Sequence, residues 1–254
     1  MNRKFEKYER KGAYHWNTLY DGSWIRSCPR LHARYDIPKQ FLSQQLDLQN
    51  SRGLDAGCGD GVFLYKVRRK GGTIFGLDYS DEGLTLAKER LARQNVFSGN
   101  LIEGSCYQIP LGSESVDYVT AIELIEHLDN VDTFLNEVKK VLRPGGWFVC
   151  TTPNREKEQA PNEVRDPFHV HEFIPKELGS VLSKKFRKMK VLGAYPWYLD
   201  RLYEPNGKKN ILDKAIRVVF KAVAFGFANP YVYALDEKPT HESRLLIGVA
   251  QKAQ

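Results

Sequence analysis

A doubly wound α/β sheet with helices on both faces is what the pattern of this chain predicts, and three features carry that expectation. From Arg52 to Val67 a short apolar strand ends in a carboxylate, three glycines follow at alternate positions (Gly57, Gly59, Gly61), and a pattern of helical period begins. A second strand-like stretch ends in another carboxylate, Asp78, 23 residues beyond Asp55. Strand-type and helix-type stretches then alternate as far as Thr151, the order that builds a parallel sheet from crossover units. With 254 residues, 42% of them hydrophobic and 27% charged, the chain has material for one α/β domain with a good core.

Taken in order, residues 1–48 read as an N-terminal helical cap. Residues 1–35 are polar and aromatic-rich (Tyr8, Tyr14, His15, Trp16, Tyr20, Trp24, Tyr35) and lack clean periodicity. Ile37 to Leu48 reads as a helix with Pro38 in its first turn and Ile37, Phe41, Leu42 and Leu46 inward. Strand Gly53 to Ala56, helix Gly61 to Arg69, strand Thr73 to Leu77 and helix Asp81 to Arg93 follow. Val96 to Glu103 and Ser115 to Ala121 are the third and fourth strands, and Val131 to Leu142 is a helix with Phe134, Leu135 and Val138 on its apolar face. Arg143-Pro144-Gly145-Gly146 stops that helix and turns into strand Trp147 to Thr151. A polar loop precedes helix Pro175 to Lys184, and strands near Met189 to Tyr195 and Arg244 to Ala250 close the chain. Between these two strands lies an insertion, 198–240. In it Leu212, Ala215, Ile216, Val219, Phe220, Val223 and Phe227 make one helical face, while Lys214, Arg217 and Lys221 repeat on another. Such a helix either packs as a lid or lets 211–227 lie on an anionic membrane surface.

The first strand-to-helix turn of a doubly wound sheet binds nucleotide-like ligands, because glycines let the backbone approach them closely. A dinucleotide fingerprint starting at Gly57 would need a third small residue where this chain has Val62. Asp55, just before the turn, would repel a diphosphate and suits a ligand carrying an ammonium and a sulfonium, a description that fits S-adenosylmethionine. Asp78 has the placement to accept both hydroxyls of a ribose; otherwise Asp78 or Ser80 only caps the next helix.

Through Asp55-x-Gly57-x-Gly59-x-Gly61 the chain resembles the class I S-adenosylmethionine-dependent methyltransferases. Glu126-His127, Leu142-Arg143-Pro144-Gly145-Gly146 and Thr152-Pro153-Asn154, in this order, look like the large branch of that family that modifies small molecules, quinones, lipids and sugars. The resemblance covers residues 50–155 well and the flanks weakly. It implies a Rossmann-like, seven-stranded sheet whose last strand is antiparallel, with S-adenosyl-L-methionine as cofactor. It further implies that Asp78 takes the ribose, that Tyr79 lies against the adenine, and that the cofactor site continues through Ser105, Cys106 and Ala121. The family often has an aspartate followed by a small residue where this chain has Ser105-Cys106; Ser105 can accept from the adenine amino group only without charge assistance, so the cofactor is held less tightly. His169-Val170-x-Glu172-Phe173 also resembles this branch, in which the loop comes over the active site. No Asn/Asp-Pro-Pro-Tyr follows the fourth strand, which disfavours methylation of planar amides or base nitrogens.

The chain carries a formal charge of +7, and between Lys176 and Lys221 twelve Lys/Arg face four Asp/Glu, a local excess of eight. A solvated polar face explains this as well as an anionic partner does. The N-terminal stretch has no apolar core of a signal peptide and no run of about 18 apolar residues occurs, so a cytoplasmic protein is expected. The four cysteines (Cys28, Cys58, Cys106, Cys150) lack metal or disulfide spacing, and no aspartate cluster suggests magnesium, so no metal is expected.

A hydroxyl acceptor must lose its proton, and histidine, titrating near neutrality, is the natural base. His127, just past the fourth strand, and His169, on the overlying loop, are the catalytic candidates; His127 is otherwise a structural residue partnered by Glu123 or Glu126. The first reading is O-methylation of a small-molecule, glycan or lipid-linked acceptor. An RNA methyltransferase, supported only by charge, and a non-catalytic cofactor-binding protein are the alternatives, and nucleic acid is the less favoured partner.

Overall fold

The computed structural model describes residues 8, 12–21, 29–155, 168–195, 234–240 and 243–254. Its frame is a sheet of strands β1 (Arg52–Ala56), β2 (Thr73–Asp78), β3 (Leu101–Glu103), β4 (Val116–Ile122), β5 (Leu142–Pro153), β6 (Lys188–Tyr195), β7 (Ala234–Asp236) and β8 (Leu245–Gln251). Their spatial order is β3-β2-β1-β4-β5-β8-β6-β7. The pairs β2–β3, β1–β2, β1–β4 and β4–β5 are parallel. Strand β8 runs antiparallel to both β5 and β6, as the resemblance implies for the last strand. Seven strands are expected from the sequence and eight are present among the described residues, because β7, inside the 198–240 insertion, pairs with the edge of β6. The remainder of that insertion, including 211–227, lies outside the described residues.

Both faces of the sheet are covered, so its strands read as continuous apolar runs rather than alternating ones. Helices α1 (Pro29–Gln45), α2 (Val62–Arg68) and α3 (Asp81–Arg93) pack one face, with Leu42, Phe63, Leu64 and Leu91 against Tyr118, Val149 and Ile247. Helices α4 (Val131–Val141) and α5 (Pro175–Ser183) pack the other, with Phe134, Leu135, Val138, Leu178 and Leu182 against Leu54, Val119, Phe148 and Leu246. Asn130 caps α4, accepting from Thr133 N at 2.9 Å.

Three local expectations are corrected. Helix α1 starts at Pro29 and carries Pro38 in its interior. An interior proline costs about 3 kcal/mol. Burying Leu31, Tyr35, Ile37 and Leu42 on the sheet returns roughly 1.5–3 kcal/mol each, so packing wins. Strand β3 is shorter than Val96 to Glu103, because Asn95 and Asn100 take left-handed backbone (φ 55° and 61°) and delay pairing to Leu101. The stretch Arg143–Gly146 is an irregularity within β5 rather than a turn before it: Leu142 already pairs with Val116, and the register shifts between Val116 and Tyr118.

Candidate functional site

The chain runs from β1 outward to β2 and β3, then returns to place β4 on the other side of β1, so the carboxyl ends of β1 and β4 flank the crevice where such sheets bind ligands. Asp55 in β1 stands beside Thr120 in β4, whose hydroxyl donates to Asp55 Oδ1 at 2.6 Å. Burial pushes the Asp55 carboxyl up to about 7, the Thr120 bond opposing this and the charge of Asp78 adding to it.

The turn after β1 is held by the end of β2. Gly57 N and Cys58 N both donate to Leu77 O, at 2.7 and 3.0 Å, and Gly59 N donates to Asp78 Oδ2 at 2.8 Å. Gly57 and Gly59 have φ of 72° and 50°, a backbone that side chains resist, and any Cβ at these positions would strike Leu124 and the Tyr8 hydroxyl respectively. Asp78 Oδ1 accepts from Ser80 N at 2.9 Å. Ser80 is the cap of α3, accepting from Gly83 N at 3.1 Å, so the capping role falls to Ser80 and the Asp78 carboxylate is turned to the glycine loop. Burial raises the Asp78 carboxyl, the backbone donors Ser80, Gly59 and Tyr79 opposing it. Each Asp78 oxygen keeps a second lone pair.

Around this turn the other sequence candidates are spread unequally. Tyr79, the neighbour of Asp78, is 53% exposed. Ser105 is exposed, its hydroxyl accepting from Tyr107 N at 3.1 Å; Cys106 is half-buried, its thiol pushed up to about 11 by burial. Ala121 is fully buried in the core, so only its backbone can meet a ligand. A narrow glycine cradle, two carboxylates and an exposed aromatic ring fit a nucleoside bearing positive charge.

Asp60, not singled out by the sequence, is also central. It accepts from the backbone of His15 and, at 3.0 Å, from Trp16 N, pinning the helical turn Tyr14–Trp16 to the glycine loop. Burial pushes its carboxyl up to about 7. Tyr8 lies against Gly59 and Gly83, so described parts of the N-terminal segment do cover the turn. No local signal marks these roles, since the partners are 44 residues apart.

Beyond β4 the chain makes a tight turn, Ile125–His127, whose Leu124 packs on Gly57. His127 Nδ1 lies 2.9 Å from Phe168 O and His169 Nδ1 lies 2.7 Å from Glu172 Oε1. The two rings meet edge to face with centroids 4.8 Å apart. The loop is fixed there by Val170 N and His171 N, which donate to Glu126 O at 2.7 and 3.1 Å. The structure thus brings His127 and His169 together beside the glycine turn. His171 instead sits 3.3 Å from Glu177, whose other oxygen pairs with Arg155 at 2.8 Å. Glu123, in left-handed backbone at φ 52°, pairs with Arg34 at 3.2 Å. Glu126 is buried, and burial first and the charge of Glu123 second push its carboxyl well above the usual range. The Thr152 hydroxyl and the charge of Arg34 oppose this rise.

Known proteins resemble this chain in sequence and in fold. Residues 54–150 match the family model described as a methyltransferase domain. Over 131 residues the chain is 35% identical to a probable S-adenosylmethionine-dependent methyltransferase of Mycolicibacterium smegmatis, covering 51% of this chain and 49% of that protein. Over 164 residues it is 29% identical to the ubiquinone biosynthesis O-methyltransferase of Hydrogenovibrio crunogenus, covering 59% and 68%. The chain thus spans about half the length of the first of these relatives and about two thirds of the second. Among solved structures, an S-adenosylmethionine-dependent methyltransferase of Thermotoga maritima superposes with a TM-score of 0.63 at 18% identity, over 99% of this chain and all of that one. Phosphoethanolamine N-methyltransferase 2 of Haemonchus contortus, holding phosphomonomethylethanolamine and S-adenosylhomocysteine, gives 0.65 at 16% identity over 100% of this chain and 60% of that one. At such identities these two likenesses speak for the fold.

Proposed function

From the methyltransferase domain that residues 54–150 form, we propose that this protein is an S-adenosyl-L-methionine-dependent methyltransferase acting on a hydroxyl of a small-molecule, glycan or lipid-linked acceptor. The observation that carries the choice of oxygen is the His127–His169 pair, two imidazoles with centroids 4.8 Å apart, fixed by the loop and by Leu124 next to the glycine turn. The ubiquinone biosynthesis relatives support an acceptor of this class, since they are O-methyltransferases.

Asp78 accepts the ribose hydroxyls, Tyr79 lies on the base, the glycine turn admits the ligand's backbone-like portion and Asp55 balances its positive charge. The cofactor supplies an electrophilic methyl carbon that needs no activation by the protein. What this chain adds is alignment and removal of a proton. A carbonyl acceptor at Phe168 and a carboxylate acceptor at Glu172 require N–H at Nδ1 of both histidines, so in the neutral rings the lone pair is on Nε2. That is the atom that takes the acceptor's hydroxyl proton as the oxygen–carbon bond forms. Tyr8 and the Asp60-tethered turn help keep water from the reacting atoms. Among the described residues no helix is long and apolar enough to cross a membrane.

Calorimetric titration with S-adenosylmethionine and S-adenosylhomocysteine tests the cofactor assignment. Both are expected to bind the wild type, and Asp78→Ala is expected to weaken them at least tenfold. Labelled-methyl transfer to lipid, glycan and RNA fractions then identifies the acceptor class. Label confined to RNA would overturn the O-methylation of small or lipid-linked acceptors, and no binding of either ligand would overturn the whole reading.

A further inference from the structure

The amino end of β2 carries a cavity that methyl transfer leaves unused. It measures about 580 Å³ and opens where α2 and α3 both end. Residues following α2, the first two residues of β2 and parts of the 94–100 link from α3 to β3 line it. Its volume falls within the range of about 300–1,000 Å³ typical of small-molecule sites. The cofactor turn is at the other end of the same strand. Five steps of about 3.3 Å set Thr73 roughly 17 Å from Asp78.

Arg68 and Arg69 line the cavity, and among the described residues that do so none is acidic. The last carbonyls of the two helices bring about half a negative charge each, which two guanidiniums outweigh. Positive charge also extends outward from Arg69. Burial lowers the Lys39 ammonium pKa, Asp36 opposes this, and the charges of Lys66, Lys70 and Arg69 add to the fall. Arg68 Nη1 donates to Phe97 O at 2.7 Å and its Nη2 to Ile74 O at 2.6 Å, so the guanidinium is held in place and fastens the 94–100 link to β2. Its central carbon lies 5.8 Å from the centre of the Phe97 ring. Phe97 is nevertheless 68% exposed, more than any other large apolar side chain among the described residues. An aromatic ring left in water on a fastened link is surface that a flat ligand can cover. Gln94, Asn95 and Asn100, all exposed and all lining the cavity, bring amides that both donate and accept.

We propose that this cavity binds a nucleoside phosphate, with the phosphate on Arg69 and Arg68 and the base on Phe97. Guanidinium forks match phosphate oxygens with parallel N–H bonds. A bare phosphate would leave most of the volume and the Phe97 ring unused, and a neutral aromatic would leave both guanidiniums unanswered. The three amides suit the mixed donors and acceptors of a base edge. Because the site is at the far end of β2 from Asp78, the nucleotide and the cofactor are held together rather than in competition. Binding here does not rest on the methyltransferase reading.

The test is titration of the nitrogen-15-labelled full chain with the 5′-monophosphates of adenosine, guanosine, cytidine and uridine, followed by amide shifts in nuclear magnetic resonance, with ribose 5-phosphate and inorganic phosphate as controls. At least one monophosphate is expected to bind saturably, one per chain, moving amides of 68–74 and 94–100 and leaving those of 55–59 and 78–79 in place. It should bind tenfold or more tighter than either control. Arg69→Ala and Phe97→Ala, both at exposed positions, are each expected to weaken it tenfold or more, and saturating S-adenosylhomocysteine should leave its affinity unchanged. Absence of saturable shifts, shifts confined to 55–59 and 78–79, ribose 5-phosphate binding as tightly as every monophosphate, or a single-stranded RNA octamer that binds where no monophosphate does would each overturn the site. The shift map of the wild type needs no variant and so holds whatever the substitutions do to folding. Failure of S-adenosylhomocysteine to bind, with the monophosphate shifts intact, would sink the cofactor assignment alone.

Discussion

Asp55 is a carboxyl near half-protonation at neutral pH, because burial pushes it up to about 7. A cationic ligand binds its charged form, so occupancy of the turn should draw a proton off. Cofactor affinity is expected to rise as pH climbs from about 6 to about 8 and then level, with proton release visible as a dependence of binding heat on buffer. Asp55→Asn should flatten both, and a wild-type affinity independent of pH over that range would contradict the assignment. Asp55 and Asp78 were legible in the sequence because each ends a strand beside a glycine turn, a purely local pattern. Asp60 was not, although it lies inside the same turn, because its meaning comes from amides at His15 and Trp16 that the chain delivers from far away.

Among the elements, the N-terminal turn Tyr14–Trp16 is too short to hold itself, since a helix nucleus costs more than one turn returns. It persists because Asp60 accepts its first amides and Trp16 buries its ring against Tyr20 and Tyr65. Removing a capping acceptor costs about 1 kcal/mol. Asp60→Ala is therefore expected to lower unfolding stability by about that amount and to speed amide exchange of residues 13–20 severalfold, while Asp60→Asn, which keeps an acceptor, does less. Unchanged exchange in the alanine variant would mean that packing alone holds the turn. The long elements were readable from periodicity, as the buried Phe134, Leu135 and Val138 face of α4 demonstrates. Ends were harder: the start of α1 and the delay of β3 depend on tertiary burial and on two left-handed asparagines that no period reveals.

For the molecule as a whole, several buried acids are shifted in the same direction. Asp55 and Asp60 are both raised to about 7 from 3.8, and Asp78 and Glu126 are raised as well. Acids whose folded pKa exceeds the unfolded one contribute stability that is full below the unfolded value and is lost as pH rises through the folded value. His32, lowered to about 4 by burial, works the other way, but it is one group against four. The cofactor-free protein should hence have its highest urea midpoint near pH 5 and lose stability toward pH 8, with a shallower slope in Asp55→Asn. A midpoint that climbs with pH over this window would show that Asp55 and Asp60 are not raised to about 7 in the folded protein. The sheet order was largely implied by the strand and helix sequence, and the approach of His169 to His127 by the resemblance; the fastening of that loop was not, since the backbone bonds from Val170 and His171 to Glu126 leave no mark in composition.

Asn154 bridges to Phe173 in parallel fashion, and Arg155 N donates to Phe173 O at 2.9 Å, so chain positions far apart in sequence are stapled together here. Entropy charges only about 0.6 kcal/mol for each doubling of such a loop's length. The staple and the clasp on the Glu126 carbonyl hold both flanks of the stretch between them. Lengthening the chain between Arg155 and Phe168 is therefore expected to leave the His169 ring against His127, a contact that depends on the clasp alone.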